Sequence, residues 1–225
     1  MSRYKTATGS EAELEPGTRS GVLRNLRQIT SKRDMDQAEF QLLLEAQTAW
    51  WSKVSTETRF TAKTLCDMHR DWLGGLYNWA GKYRTVEMAK NGFRWPPAHL
   101  VDQNMRNLEA GLLRKLTPFK PGSLEEVCSN AAAVHAELLF VHPFREGNGR
   151  VARWLADLCF LQAGLVPPDH GFSGSGSVNR RGAYLEAVKR GYLGDLAGLA
   201  AFFAEGLERS ASANKPFAPS KRDEP

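Results

Sequence analysis

Cysteine is scarce. Cys66, Cys128 and Cys159 are an odd count, far apart, in a chain of 225 residues. No C-x-x-C pair occurs, so neither a disulfide framework nor a zinc site is expected. All three fall in helical patterns and read as buried free thiols of a reducing, cytoplasmic setting. Long apolar runs are missing too. No stretch approaches the roughly 18 apolar residues of a membrane span. The opening MSRYKTATGS lacks the apolar core of a signal peptide. No membrane partner is expected. Charge of one sign is also limited: 30 Lys and Arg against 25 Asp and Glu leave a formal charge of +5. No basic run alternates with aromatics, so nucleic acid is not the expected partner. The mild positive balance suits an anionic ligand or an acidic partner. No internal repeat is visible.

What is present is a soluble composition, 42% hydrophobic and 24% charged, enough for one main core. Residues 1–20 are polar and read as a flexible arm. Residues 21–209 read as one domain, and residues 210–225, rich in Lys, Pro and Ser, as a disordered tail.

Helical spacing dominates between them. Thr30 or Ser31 caps a helix to Trp51, with Phe40, Leu43, Leu44, Gln47 and Trp51 on its apolar face. Ser55 to Tyr77 repeats Phe60, Leu65, Met68, Trp72, Leu73 and Leu76 at helical spacing. One β signal follows. Arg84 to Met88 and Phe93 to Trp95 read as short strands around Asn91-Gly92, a hairpin turn. A hairpin alone is marginal in water and must lean on something. It is either a surface decoration or a flap whose free edge holds an extended segment of another protein by strand addition.

Helices are then expected from residue 97 or 98 to Leu116 and from Leu124 to Val141. Ser123 and Glu126 form a capping box for the second. Leu124, Val127, Ala131, Val134, Leu138 and Val141 share one face, as in a central buried helix. Three more helices are expected over about Gly149–Ala163, Arg180–Gly191 and Gly194–Arg209.

Between two of these helices lies HPFREGNGRVAR, from His142 to Arg153. It holds an imidazole, a carboxylate, an Asn between two glycines and two arginines. Gly147 and Gly149 let main-chain N–H groups turn toward one point, where a helix also starts. Cations in a first helical turn oppose the macrodipole by about 0.3–1 kcal/mol each. Arg150 and Arg153 therefore point to a highly charged anion there. The stretch reads as a phosphate site with a built-in base.

These twelve residues match the signature of the Fic family, H-x-F-x-[D/E]-G-N-G-R-x-x-R, at every fixed position. WAGKYRTVEMAKNGFRW resembles the family's strand-forming flap, and NRRGAYLEAVKR its later helix near the nucleotide base. ITSKRDMDQAE followed by LLLEAQTAWW is similar to the N-terminal region of the subgroup called mobile mystery protein B. The resemblance implies an all-α Fic fold, a helical bundle with a small β-hairpin flap beside the active-site loop. It also implies transfer of AMP from ATP to a Ser, Thr or Tyr hydroxyl of a target protein.

In that reading His142 is the general base and Glu146 holds Mg²⁺. Gly147, Asn148 and Gly149 bind the α-phosphate, and Arg150 and Arg153 the outer phosphates. Phe144 is a core plug. Tyr184 either stacks near the adenine or is a plain core aromatic. Val86, Glu87, Met88 and Lys90 of the flap face the target. His135 reads as a hydrogen-bonded structural histidine; His69, His99 and His170 carry no pattern that assigns a role.

Many members of the family are restrained by a helix with the pattern [S/T]-x-x-x-E-[G/N], in cis or on an antitoxin. Glu45 and Glu205 are the candidates in this chain, each in an incomplete match. An external inhibitor, or none, stays open. Three other readings are a Fic-fold transferase of UMP, phosphate or phosphocholine, a nucleotide-binding toxin–antitoxin module without catalysis, and a helical DNA-binding protein. The intact G-N-G-R core favours AMP, and the intact His142 favours catalysis.

Overall fold

The computed structural model describes residues 5–6, 10–90 and 92–213. Its centre is the pair of helices that flank the motif. Helix α5 (Leu124–Val141) starts at Ser123, whose hydroxyl accepts the Glu126 N–H at 3.2 Å. Val127, Ala131, Val134, Leu138 and Val141 are buried along it. Helix α6 (Asn148–Gln162) follows after a short loop and buries Val151, Trp154, Leu155, Leu158 and Phe160. Side chains of this size contribute roughly 1.5–3 kcal/mol each when fully buried. The loop between α5 and α6 is therefore held by two of the most deeply packed elements of the chain.

The other helices surround α5. α3 (Val101–Leu108), α7 (Ser177–Gly191) and α8 (Ala197–Ala213) pack on it directly, while α1 (Lys32–Trp51) packs on α2 (Ala62–Leu73) and α2 on α6. Helix α2 is shorter than its apolar pattern, because Thr61 and Thr64 form a capping box at its start. The helix expected up to Leu116 is broken in character. A 3₁₀ turn (Ala98–Leu100) leads into α3, and a π-helical stretch (Glu109–Leu113) separates it from α4 (Arg114–Leu116). Within it the Glu109 carboxylate accepts the Ala62 N–H at 2.8 Å.

Helix α1 corrects the expected face. Phe40, Leu44 and Trp51 are exposed, at 60%, 43% and 50%. The residues turned inward are Met35, Glu39 and Ala46, with Leu42, Leu43 and Trp50 partly covered. The inner face is rotated from the most apolar one, and it carries a carboxylate.

The hairpin is present but displaced. Strand β2 is Met88–Lys90 and β3 is Phe93–Arg94, with Gly92 at φ 82° in the turn. Trp95 and Val86 join Met88 in a small separate core beneath it. A further strand, β1 (Lys5–Thr6), pairs antiparallel with β2, Lys5 opposite Ala89 and Thr6 opposite Met88. One edge of the hairpin, that of β2, thus carries Lys5 and Thr6.

Residues 10–20 also depart from the expected flexible arm. The Glu15 N–H donates to Val22 O at 2.9 Å and the Arg24 N–H to Glu13 O at 2.9 Å. Gly17 and Gly21, at φ 80° and 71°, allow the reversal between these pairings. Val22 and Leu23 then enter the core. At the other end α8 runs to Ala213, into the expected tail; residues 214–225 lie outside the described residues. No described helix is long and apolar enough to cross a membrane.

Candidate active site

His142 is the C-cap of α5 and adopts a left-handed conformation, φ 51°, ψ 59°. That turn directs the chain away from α5 and lays the imidazole against Trp95, with ring centroids 4.1 Å apart. His142 is only 4% exposed. Its Nδ1 lies 3.2 Å from Leu139 O, which can only accept, so the neutral ring carries its proton on Nδ1. Nε2 then presents a lone pair. Burial pushes the pKa down to about 3, with the Leu139 contact opposing and Arg84 and Lys90 reinforcing the shift. A neutral imidazole is the form a general base needs.

Arg84 ties this corner together and was not assigned a role from sequence. Its Nε donates to His142 O at 2.7 Å, its Nη1 to Val86 O and its Nη2 to Pro96 O. The Arg84 N–H donates to Pro143 O at 2.8 Å. One buried guanidinium therefore joins the base of the hairpin to the motif loop. The Trp95 indole adds a bond to Leu139 O at 3.0 Å.

The motif loop is braced from inside. Phe144 is fully buried, as a plug should be, and stacks on His69 with ring centroids 3.9 Å apart. His69 Nδ1 accepts the Gly81 N–H at 2.8 Å, which leaves Nε2–H to donate to Glu146 O at 3.1 Å. His69 is thus a brace of the motif. Its position between Leu65 and Trp72 on an apolar helical face was the available sign that it is buried. Asn148 braces the loop as well. Its side chain accepts the Phe144 N–H at 2.8 Å and donates to Phe144 O at 2.7 Å. The amide closes the loop on itself.

Gly147, at φ 87°, precedes α6, and no side chain caps the helix there. A Cβ on Gly147 would stand 2.7 Å from the Trp72 ring. The helix start, with its N–H groups and positive dipole end, faces the site. Arg153 folds back over it: a Cβ on Gly149 would lie 3.4 Å from Arg153 Nη1. The Arg153 guanidinium also lies 4.9 Å from the Phe172 ring and 5.8 Å from that of Tyr184. Among the described residues no carboxylate forms an ion pair with Arg153.

Arg150 is different. Its Nη1 donates to Glu39 Oε2 at 2.6 Å, and its guanidinium lies 4.4 Å from the Trp72 ring. Glu39 also accepts the Tyr77 hydroxyl at 2.9 Å. The carboxylate that α1 sends to the motif is Glu39, which has no distinguishing local pattern. Arg150, expected to hold the outer phosphates, is paired with Glu39 in this structure. Arg145 was given no role, yet it is buried and its Nε donates to Glu11 O at 2.9 Å. Glu11 in turn accepts the Thr85 N–H and hydroxyl, both at 3.2 Å.

Other expected residues fall elsewhere. Val86 and Met88, expected to face a target, are buried beneath the hairpin. The Glu87 carboxylate accepts the Ala98 N–H at 2.9 Å, and Lys90 is exposed. Tyr184 is a core aromatic: it is 4% exposed and its hydroxyl meets His135 Nε2 at 2.8 Å. His135 is the structural histidine expected, held also by Ala152 O. His170 pairs with Asp157 at 2.9 Å, a partner the local sequence did not suggest. Glu45 is exposed and accepts from Gln41, and Glu205 is exposed with Arg209 at 3.8 Å. Neither meets a motif residue.

Comparison with known proteins fits this geometry. The Fic/DOC family profile matches residues 59–160. A probable protein adenylyltransferase of Sinorhizobium fredii is 30% identical over 188 residues, which is 83% of this chain and 90% of that protein. The chain belongs to the Fic/DOC family.

A probable protein adenylyltransferase Fic of Salmonella typhimurium is 25% identical over 212 residues, 92% of this chain and 96% of that one. Matching segments also occur in longer proteins: this chain spans 34% of the protein adenylyltransferase Fic of Nematostella vectensis. Among solved structures, the BepC effector of Bartonella tribocorum with bound AMPPNP superposes with a TM-score of 0.67 at 22% identity, covering 86% of this chain and 94% of BepC. The Fic fold, a helical bundle with a small antiparallel sheet beside the motif, is therefore this chain's fold.

Proposed function

We propose that this Fic/DOC protein is a protein adenylyltransferase, moving AMP from ATP to a hydroxyl side chain of a target protein. The observation that carries the reading is the meeting of a neutral, oriented His142 with a helix start that no side chain caps and with Arg153, which has no carboxylate partner among the described residues. Its relatives in Sinorhizobium fredii and Salmonella typhimurium bear the name of that activity.

His142 Nε2 takes the proton of the incoming hydroxyl, while the Nδ1–H bond to Leu139 O holds the ring in place. The hydroxyl oxygen bonds to the α-phosphorus, the bond from that phosphorus to the bridging α–β oxygen breaks, and pyrophosphate leaves. The N–H groups at the start of α6 stabilise charge on the α-phosphate, where it grows in the transition state. Arg153 holds the outer phosphates with a planar donor fork.

The donor set also fits a divalent cation. Among the described residues no group of three His, Cys, Asp or Glu gathers to hold a metal by itself. Glu146 alone offers a hard carboxylate at the helix start, which suits Mg²⁺ carried in on phosphate oxygens. When bound, Mg²⁺ would neutralise phosphate charge and orient the triphosphate.

Incubation with Mg²⁺ and ATP labelled in the α- or the γ-phosphate tests the reading. Label on protein from the α position alone is the expected result. Label from the γ position alone means phosphate transfer and would sink it.

A further inference from the structure

Tyr184 and His135 lie in the core and outside the chemistry just described, yet both lead back to Arg153. His135 is 1% exposed, and burial pushes its pKa down to about 3, with the Arg153 charge reinforcing the shift. The ring is therefore neutral. Its Nδ1 lies 3.1 Å from Ala152 O, which can only accept, so the proton is on Nδ1. Nε2 is then an acceptor, and the Tyr184 hydroxyl, 2.8 Å away, donates to it. That uses the one proton of the hydroxyl, while its oxygen keeps a lone pair for a donor. The cation beside it is Arg153, whose guanidinium lies 5.8 Å from the Tyr184 ring. Burial raises the Tyr184 pKa, and Arg153 opposes the rise by its charge and by a hydrogen bond to the hydroxyl.

The contacts thus run from Ala152 O through His135 and Tyr184 to Arg153, the next residue of α6. They tie α5, α6 and α7 together at the root of one arginine. Both groups set against the guanidinium are neutral, the phenol oxygen and the Phe172 face at 4.9 Å. Asp157, one turn further along α6, is bonded to His170 at 2.9 Å. A neutral acceptor orients a guanidinium and leaves its charge in place, which is pre-organisation for an anion. We propose that Tyr184, itself aimed by His135, is a positioning residue for Arg153: its hydroxyl oxygen steers the guanidinium to the helix start, where the outer phosphates of the nucleotide lie. The inference rests on the assignment of Arg153 to those phosphates. It gives a role in the site to α7, which lies outside the segment that matches the family profile.

The test is displacement calorimetry with ATP and with AMP, which lacks the outer phosphates. Tyr184→Phe removes only the hydroxyl. It should weaken ATP by about 2- to 10-fold, the worth of one neutral hydrogen bond, and leave AMP affinity unchanged. In an Arg153→Ala background the same change should have no effect on ATP. His135→Phe, which removes the acceptor that aims the hydroxyl, should weaken ATP by less, again without touching AMP. Equal losses for ATP and AMP in Tyr184→Phe overturn the proposal, because a loosened core or a contact with the base moves both. Unchanged ATP affinity overturns it as well, and so does a further loss in the Arg153→Ala background. ATP affinity that survives Arg153→Ala intact overturns the phosphate assignment itself, and this inference with it. Nucleotide affinity is read apart from group transfer, so this test and the labelling fail independently. If Tyr184→Phe does not fold, His135→Phe decides alone: unchanged ATP affinity there, or equal losses for ATP and AMP, overturns the proposal.

Discussion

Arg150 and Arg153 leave the same helix start within one turn, yet they face different surroundings. Arg150 points into the wall made by α1 and α2, with a carboxylate, a tyrosine and an indole around it. Arg153 folds over the open end of α6 beside Phe172, with no acidic partner among the described residues. A charge held by a buried carboxylate within the protein serves the fold. A charge at a helix N-terminus with no acidic partner opposes the dipole and gains when an anion arrives. Identical side chains in one motif thus have separate duties, and the difference comes from what lies across from them.

The largest effect expected concerns neither arginine but the base between them and the hairpin. His142→Ala should cut labelling by about 10²–10⁴-fold while ATP binding, measured by calorimetry, stays close to wild type. Loss of nucleotide binding as well would mean that His142 supports the pocket rather than the chemistry.

Arg150→Ala should act on stability. It leaves Glu39 buried at 6% side-chain exposure without its charge partner, which costs about 3–5 kcal/mol. Urea denaturation should show a lower midpoint. Arg153→Ala should do the reverse. Its urea midpoint should stay near wild type, and ATP affinity should fall by the worth of a charged hydrogen bond, about 1.5–3 kcal/mol. If both variants lose stability equally, or both lose ATP equally, the division between the two sides of α6 is wrong.

The paired side also predicts an acid response. His69, His135 and His142 are buried and neutral, with pKa values lowered by burial to about 4, 3 and 3. Below pH 6.5 the unfolded chain takes up protons that the folded chain refuses. These groups therefore favour folding fully above pH 6.5, and the contribution fades as pH falls toward 3–4. Thermal melts between pH 7.5 and 4.5 should show steady loss, and His135→Gln should flatten the slope. The labelling rate, at pH values where the protein stays folded, should show no acid limb near 6.5. A limb there would place His142 in a wetter setting than the one seen.

The smallest effect is expected from Glu45→Gly and Glu205→Gly. Both residues are exposed and away from the motif's contacts, so self-labelling should not change. A gain from either would reveal an arrangement in which that helix reaches Arg153.

Much of the site was legible because its residues are contiguous. His142, Glu146, the glycines and Arg153 lie in one stretch between two strongly periodic helices, so chemistry and placement could be read together. What braces them could not be read in that way. Glu39 bonds Arg150 across 111 residues, Glu11 bonds Arg145 across 134, and His69 reaches Glu146 across 77. No local period signals such pairings. The α1 face shows why apolar counting failed there. Phe40 and Leu44 outweigh Glu39 in hydrophobicity, but burying Glu39 supplies the charge that Arg150 needs, and a guanidinium beside the core is costly without it.

The sequence by itself determined the order of helices, the motif loop between α5 and α6, and the kind of chemistry those residues support. Local spacing and backbone preference act within a few residues, and these features need nothing more. Tertiary structure alone decided which arginine is spoken for, which face of α1 turns inward, and that β1 lies along β2. Those outcomes depend on which distant groups share a low-dielectric space, where an unpaired charge or hydrogen-bond donor costs more than an exposed apolar side chain.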